Sequence, residues 1–228
     1  MNEAPNDSRC WLLHRRPYRN SSLIVDFLSP EHGRVAAVAR AGRRNHALQP
    51  FQPLQLAFRG RNELRSLSLC EPVGPPVALS GEQIYCGMYL NELLMRLLQR
   101  DDPIPGLDRI YGSALMQLAE EQVPADVTLR WFEMHLLELL GYGLSLESDA
   151  DGRPIEPGSQ YHYQAEQGLV LNLSGRFEGR LLLAMSSEQW DEDVRRVARD
   201  LMREALAPHL GDRPLMSRQL FRQKSRNT

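Results

Sequence analysis

The hydrophobic pattern changes period once along this chain, at Glu71-Pro72-Val73-Gly74-Pro75-Pro76. Three prolines and a glycine in six residues stiffen the backbone and end regular structure there. Upstream, apolar residues come in short runs separated by turn formers. The runs are Cys10–Arg15, Ser22–Leu28, Gly33–Arg40, Leu54–Arg59 and Leu64–Cys70. Arg16-Pro17-Tyr18, Ser29–Gly33 and Gly60-Arg61-Asn62 punctuate them as turns. The last run alternates through Leu64, Leu67 and Leu69 but breaks step at Arg65-Ser66, where a bulge is expected. Five short strands in so short a stretch suit a small closed barrel, each strand burying one face.

Downstream the period becomes helical. Ile84, Met88, Leu90, Leu93, Leu94, Leu97 and Leu98 recur at helix spacing after Ser80 and Gln83, a capping-box pair. A second helix is predicted over about 107–120 and a third over about 125–140, stopped by Gly141 and Gly143. Residues 145–176 lose the helical pattern. Tyr161–Ala165 and Leu169–Leu173, joined through Glu166-Gln167-Gly168, predict a β-hairpin. A short helix near 180–185 and a final one over about 191–210 follow. The expected division is a barrel domain over residues 1–75 and a helical domain over 76–228.

Several classes are set aside by what the sequence lacks. No run approaches the ~18–20 apolar residues of a membrane span, and the polar start, Met1–Ser8, predicts no secretory leader. The expectation is a cytoplasmic protein. Cys10, Cys70 and Cys86 are far apart and form no C-x-x-C pair, so neither a disulfide framework nor a four-Cys zinc site is available. There is no H-E-x-x-H, G-x-S-x-G, G-x-G-x-x-G or lysine-bearing phosphate loop. His135 reads as a hydrogen-bonded helix residue. Glu147–Gly152 starts like a calcium loop but places Gly158 where the bidentate Glu belongs. No catalytic residue, metal or cofactor is assigned.

Charge is more informative. Of 27 basic residues only Lys224 is lysine. Base composition of the gene is one reason for that; phosphate recognition by the planar guanidinium is the other. The net charge of −2 conceals segregation. Residues 1–71 carry 11 Arg against 6 acids, a net +5; residues 72–194 carry 7 basic against 20 acidic, a net −13; residues 195–228 carry 9 against 3, a net +6. Arg34, Arg40, Arg43 and Arg44 crowd the third strand and its exit, and Arg34 and Arg40 share a face by the two-residue period. Arg15, Arg59 and Arg61 add to them. A barrel with a basic groove over strands two and three is how an OB-fold holds single strands. Tyr18, Phe27 and Phe51 are candidates for base stacking or for the core. The fold class is thus α+β: an N-terminal five-stranded OB-fold β-barrel, then an α-helical domain with a small β-hairpin insertion.

Six segments, in order, resemble the RecO family of bacterial recombination mediators. They are Tyr18–Ser22, Gly33–Arg44, Leu48–Phe51, Tyr89–Leu94, Phe132–Gly143 (F-E-x-x-L-L-x-x-L-G-Y-G) and His209–Arg218 (H-L-G-x-R-P-L-x-S-R). The resemblance implies a DNA-binding protein of DNA repair and homologous recombination without enzymatic turnover. It implies binding of single- and double-stranded DNA, annealing of complementary strands and, with RecR, loading of RecA onto strands coated by single-strand-binding protein (SSB). It implies the acidic, apolar C-terminal tail of SSB as a partner. Arg130, a cation in an acidic region, is the candidate clamp for that tail; Arg213 and Arg218 are candidates to extend the DNA surface. Many members carry four zinc-binding cysteines in the insertion; here residues 145–177 hold none, so the chain looks like the zinc-free branch. A metal-dependent nuclease or phosphoesterase, and an OB-fold adaptor that is not a mediator, are the alternatives.

Overall fold

The structure is a computed structural model that describes residues 9–60 and 62–218. Five strands lead: β1 (Cys10–Tyr18), β2 (Ser22–Ser29), β3 (Gly33–Ala39), β4 (Pro53–Arg59) and β5 (Leu64–Pro72). They close into a barrel in the order β1-β2-β3-β5-β4. Closure needs one parallel contact, Ala36 to Val38 beside Leu64 to Ser66, and a short β1–β4 seam at Cys10–Leu54 and Trp11–Pro53. Inside lie Leu12, Val25, Phe27, Ala37 and Leu54, with Ala47 and Leu48 against them.

Strand β1 runs on through Arg16-Pro17-Tyr18, where the sequence suggested a turn. Pro17 is paired with Leu23, and the turn falls instead at Arg19–Ser21. The bulge in β5 lies at Ser68 rather than at Arg65-Ser66. Leu67 faces Phe58 and Leu69 faces Ala57, which leaves Ser68 as the extra residue, its hydroxyl donating to the Ala57 carbonyl at 3.0 Å.

A second bulge has wider consequences. In β1 the register slips between Leu12 and His14, so Leu13 has no partner on β2. Its carbonyl accepts a hydrogen bond from Asn91 Nδ2 at 3.1 Å, and Asn91 Oδ1 accepts from the Tyr111 hydroxyl. Asn91 belongs to α1 (Gly81–Leu97) and Tyr111 to α2 (Leu107–Glu120). Burial pushes the Tyr111 hydroxyl far above its usual pKa, which keeps it a donor. The Tyr111 ring also meets Trp11 edge-on at 5.4 Å. The sequence suggested a capping box at the start of α1, but the Ser80 side chain makes no cap bond; Gln83 donates from its main chain to the Ser80 carbonyl.

The remaining elements are α3 (Ala125–Leu139), β6 (Gln160–Gln164), β7 (Gly168–Leu171), β8 (Phe177–Glu178), α4 (Gly179–Ser186) and α5 (Glu192–Leu210). The hairpin within 145–176 is present as β6 and β7, and β8 adds a third strand in the order β7-β6-β8. Tyr161, Leu169 and Phe177 are each 1% exposed and anchor this sheet. After α3, Gly141 adopts φ 82° and Tyr142 N–H returns to the Leu137 carbonyl, a glycine-dependent helix stop. Asp191 caps α5 by accepting from Val194 N–H at 2.8 Å.

Compactness divides the chain differently from the strand-to-helix switch. One unit is Met1–Gln122 with Pro214–Thr228, so α1 and α2 pack with the barrel; the other is Val123–Arg213. The returning segment is fastened to α1 by Glu92, whose carboxylate accepts from Met216 N–H, Ser217 N–H and the Ser217 hydroxyl. Burial raises the Glu92 pKa, but these bonds and nearby Arg96 outweigh it and hold the carboxyl below 4.5.

Two outcomes follow. Asn91→Leu removes the partner of a buried carbonyl and of a buried hydroxyl. It should lower stability by about 2–3 kcal/mol with an unchanged urea m-value; a loss near zero would show that the network does not hold the helices. Because the Glu92 pKa is depressed on folding, its contribution is full at neutral pH and lost as pH falls through the folded value. The gap in thermal midpoint between the native chain and Glu92→Gln should therefore narrow below about pH 4. A gap that is constant down to pH 3 would remove the carboxylate from the account.

Candidate nucleic-acid interface

Strand register places the basic residues. Arg16 faces Ile24, Ile24 faces Val38, Val38 lies beside Ser66, and Ser66 faces Arg59. Paired residues point to one side of a sheet, and the adjoining row holds the core residues Val25 and Ala37, so this row is the outer surface. Arg40, just beyond β3, continues the outer face, since Arg34, Ala36 and Val38 precede it at intervals of two. Ala41 then takes φ 51°, and Gly42–Arg44 forms one turn of 3-10 helix. That turn is held against the β1–β2 turn: Arg43 N–H and Arg43 Nη2 donate at 3.4 Å to the carbonyls of Ser21 and Arg19. Arg19, Arg40, Arg43 and Arg44 thus gather at one end of the barrel, all exposed.

Among the described residues, none of Arg16, Arg19, Arg40, Arg43, Arg44 and Arg59 pairs with a carboxylate. Their charge is free to meet an external anion. Arg16 and Arg19 were not singled out from sequence, although the run Arg15-Arg16 and the basic turn residue signalled them. Arg15 lies in the row of Val25 and donates to the Leu48 carbonyl over the barrel mouth.

Arg34 does not join this surface. It shares the outer face with Arg40, as the period predicted, but sits at the other end of β3. There its Nη1 donates to the carbonyls of Met95 at 2.7 Å and Leu98 at 3.3 Å, and its Nη2 pairs with buried Asp26 at 3.3 Å. It ties the end of α1 to the barrel. Gly33 beside it takes φ 66°, and a side chain there would collide with the Asp102 carbonyl. Arg130 is also engaged: it is 9% exposed and bonded at 2.6 Å to Glu133, one turn along α3. Arg218 lies on Tyr89 of α1, Nη2 to hydroxyl 3.3 Å. Arg213 is exposed just past α5, and Arg61 lies outside the described residues. Of the aromatic candidates, Phe27 and Phe51 are buried at 0% and 7%, which leaves Tyr18, half-exposed with the Arg19 guanidinium 5.1 Å from its ring centre.

Other chemistry is sparse. Burial pushes the Cys10 and Cys70 thiols up to about 11, so neither is a thiolate at neutral pH. Among the described residues no three His, Cys, Asp or Glu side chains converge as a metal site, and no helix is long and apolar enough to cross a membrane. Asp149 spends its carboxylate on the N–H groups of Asp151 and Arg153. His135 Nδ1 is hydrogen-bonded to the Trp131 carbonyl.

Comparison with known proteins agrees along the chain. The family described as recombination protein O N terminal matches residues 4–76, and recombination protein O C terminal matches residues 79–219. A protein of Pseudomonas aeruginosa (strain LESB58), named DNA repair protein RecO, is 46% identical over 217 residues, 92% of each chain. The protein of that name from Alkalilimnicola ehrlichii is 46% identical over 95% of this chain and 90% of its own. That from Pseudomonas putida (strain W619) is 41% identical over 97% and 100%.

The contrast between Arg34 and its neighbours is measurable. Arg34→Met keeps the stem and removes the guanidinium from Asp26 and two carbonyls. It should lower stability by about 2–4 kcal/mol and leave the salt dependence of oligonucleotide binding unaltered. A stable variant that binds with a shallower salt slope would reverse the assignment.

Proposed function

This chain belongs to the RecO family of DNA repair proteins, and we propose that its barrel binds DNA backbones through the exposed arginines of its outer face. The observation that carries this reading is the gathering of Arg19, Arg40, Arg43 and Arg44 at one end of the barrel, with Arg16 and Arg59 on the same outer row, none of them with a carboxylate partner among the described residues. Phosphates are the ligand that such a surface fits, on single and double strands alike. Neutralised backbones repel one another less, and release of their counterions drives binding, so complementary strands can approach and anneal. No step of this needs a catalytic group.

The finer role follows the family: with RecR, the protein helps to load RecA onto single strands covered by SSB. SSB is reached through its acidic tail. Arg130 can take that tail only by exchanging Glu133 for it, so titration of a tail peptide against Arg130→Ala decides its part; equal affinity sets Arg130 aside. Arg213 and Arg218 remain candidate extensions of the DNA surface from the chain end, and Arg15 and Arg61 from the barrel.

Arg40, Arg43 and Arg44 changed together to Ala should weaken binding to a poly(dT) oligonucleotide by about one to two orders of magnitude at low salt. The slope of log affinity against log salt should fall by about two. An unchanged slope would refute the face. Annealing of SSB-coated oligonucleotides should fall in the same variant, and in the native chain when SSB lacks its tail.

A further inference from the structure

We propose that Gly42 is a positioning residue of the DNA face: by lacking a side chain it seats the arginine turn on the barrel, and so holds Arg43 and Arg44 in place before DNA arrives. The inference rests on the DNA-binding reading of that surface, and adds to it a residue that carries no charge and touches no ligand. Gly42 is buried, although Arg40, Ala41, Arg43 and Arg44 around it are exposed. Beneath it lie Leu23 and Ala39, which face one another across β2 and β3 and are 6% and 3% exposed. A Cβ on Gly42 would stand 2.9 Å from Ala39 Cβ and 3.3 Å from Cγ and Cδ1 of Leu23. Carbon atoms in contact settle at about 3.5–4.0 Å, so a side chain here displaces either the turn or the two strands under it.

The bonds around the turn decide which of these gives way. The strands are paired over seven residues, Leu23–Ser29 against Gly33–Ala39. Downstream the chain is firmly fastened. Asn45 N–H donates to the Gly42 carbonyl at 3.1 Å, and Asn45 Oδ1 accepts from Ala47 N–H at 2.9 Å. The Asn45 side chain also hydrogen-bonds the Cys70 sulfur on β5, and Leu48 beyond it is fully buried in the barrel core. The longest bonds are the two at 3.4 Å that join Arg43 to the carbonyls of Ser21 and Arg19. A methyl group at position 42 therefore lifts the turn off the β1–β2 turn, and the arginines lose their common base. Their number and charge stay the same, so long-range attraction of DNA persists. What is lost is the prepared geometry: the turn must then be ordered at the moment of binding, and close phosphate contacts are given up. Electrostatic count alone does not tell the two states apart; contact does.

The test uses the full chain and a fluorescent poly(dT) oligonucleotide, titrated over a range of salt at a temperature where circular dichroism shows every variant folded. Gly42→Ala should weaken binding about tenfold at low salt and lower the slope of log affinity against log salt by about one, with net charge unchanged. Adding Ala39→Gly removes the atom that the new methyl meets, and should restore both affinity and slope. In a chain already carrying Arg43→Ala and Arg44→Ala, Gly42→Ala should have no further effect, because nothing is left to position. Native-like binding by Gly42→Ala overturns the proposal. So does a loss that Ala39→Gly fails to relieve, or one that persists without Arg43 and Arg44; either makes Gly42 a packing residue only. If Arg43→Ala with Arg44→Ala itself leaves the salt slope unchanged, the DNA-binding reading falls and this inference with it. A flattened slope in that double variant beside native-like Gly42→Ala removes Gly42 alone.

Discussion

A buried backbone carbonyl, that of Leu13, organises the barrel unit. The bulge in β1 takes this group out of the sheet ladder, and an unpaired carbonyl in a core costs about 1–3 kcal/mol. Asn91 satisfies it and is itself held by the Tyr111 hydroxyl, so one requirement of the strand sets the positions of two helices. The bulge also divides β1. Before it, Trp11 lies against α2; after it, Arg15 to Tyr18 run out into solvent with the β1–β2 turn. The outer wall of the barrel is thereby parted into a helix-covered portion and a bare one. The bare portion carries the arginines that meet no carboxylate among the described residues.

Which arginines are free depends on where carboxylates are dense. The middle of the chain, with its net charge of −13, supplies a partner for most cations placed there. Arg130, Arg153, Arg176 and Arg180 all sit on carboxylates within their own compact unit. Among the first 71 residues acids are few, and two of the arginines there are taken by single well-placed partners, Arg34 by Asp26 and Arg65 by Asp101. Surface ion pairs such as Arg180–Glu178 add little to stability. Their effect is to quench positive potential outside the barrel, so the proposed DNA face is defined as much by neutralisation elsewhere as by its own charge.

Much of this was legible locally. Short apolar runs between turn formers marked all five barrel strands, and helical spacing marked α2 at its true ends, because both are properties of neighbouring side chains. What escaped depends on distant residues. Pro17 reads as a turn former, yet edge pairing with Leu23 keeps it in β1. Arg34 has the right parity for the basic face, but its partners, Met95 and Leu98, lie more than sixty residues away. Phe27 and Phe51 could be weighed as platforms from sequence, but Phe27 lies inside the barrel and Phe51 packs on α1 at Gly87. Glu133 was visible as a neighbour of Arg130, but the burial that makes the pair exclusive was not.

The loss of those aromatics from the surface bears on the proposed annealing. Proteins that hold single strands by stacking occupy the faces of the bases and contribute about 1–3 kcal/mol for each. Of the three aromatic candidates only Tyr18 stays at the surface, and Arg19 stands close to its ring. Under the proposed reading, affinity then resides almost wholly in phosphate contacts, which carry no sequence information and leave the base edges untouched. Strands held by their backbones keep Watson–Crick edges open to a complement, whereas strands held by stacked bases must first be peeled away. A guanidinium surface poor in aromatics is therefore better suited to bringing two strands together than to storing one.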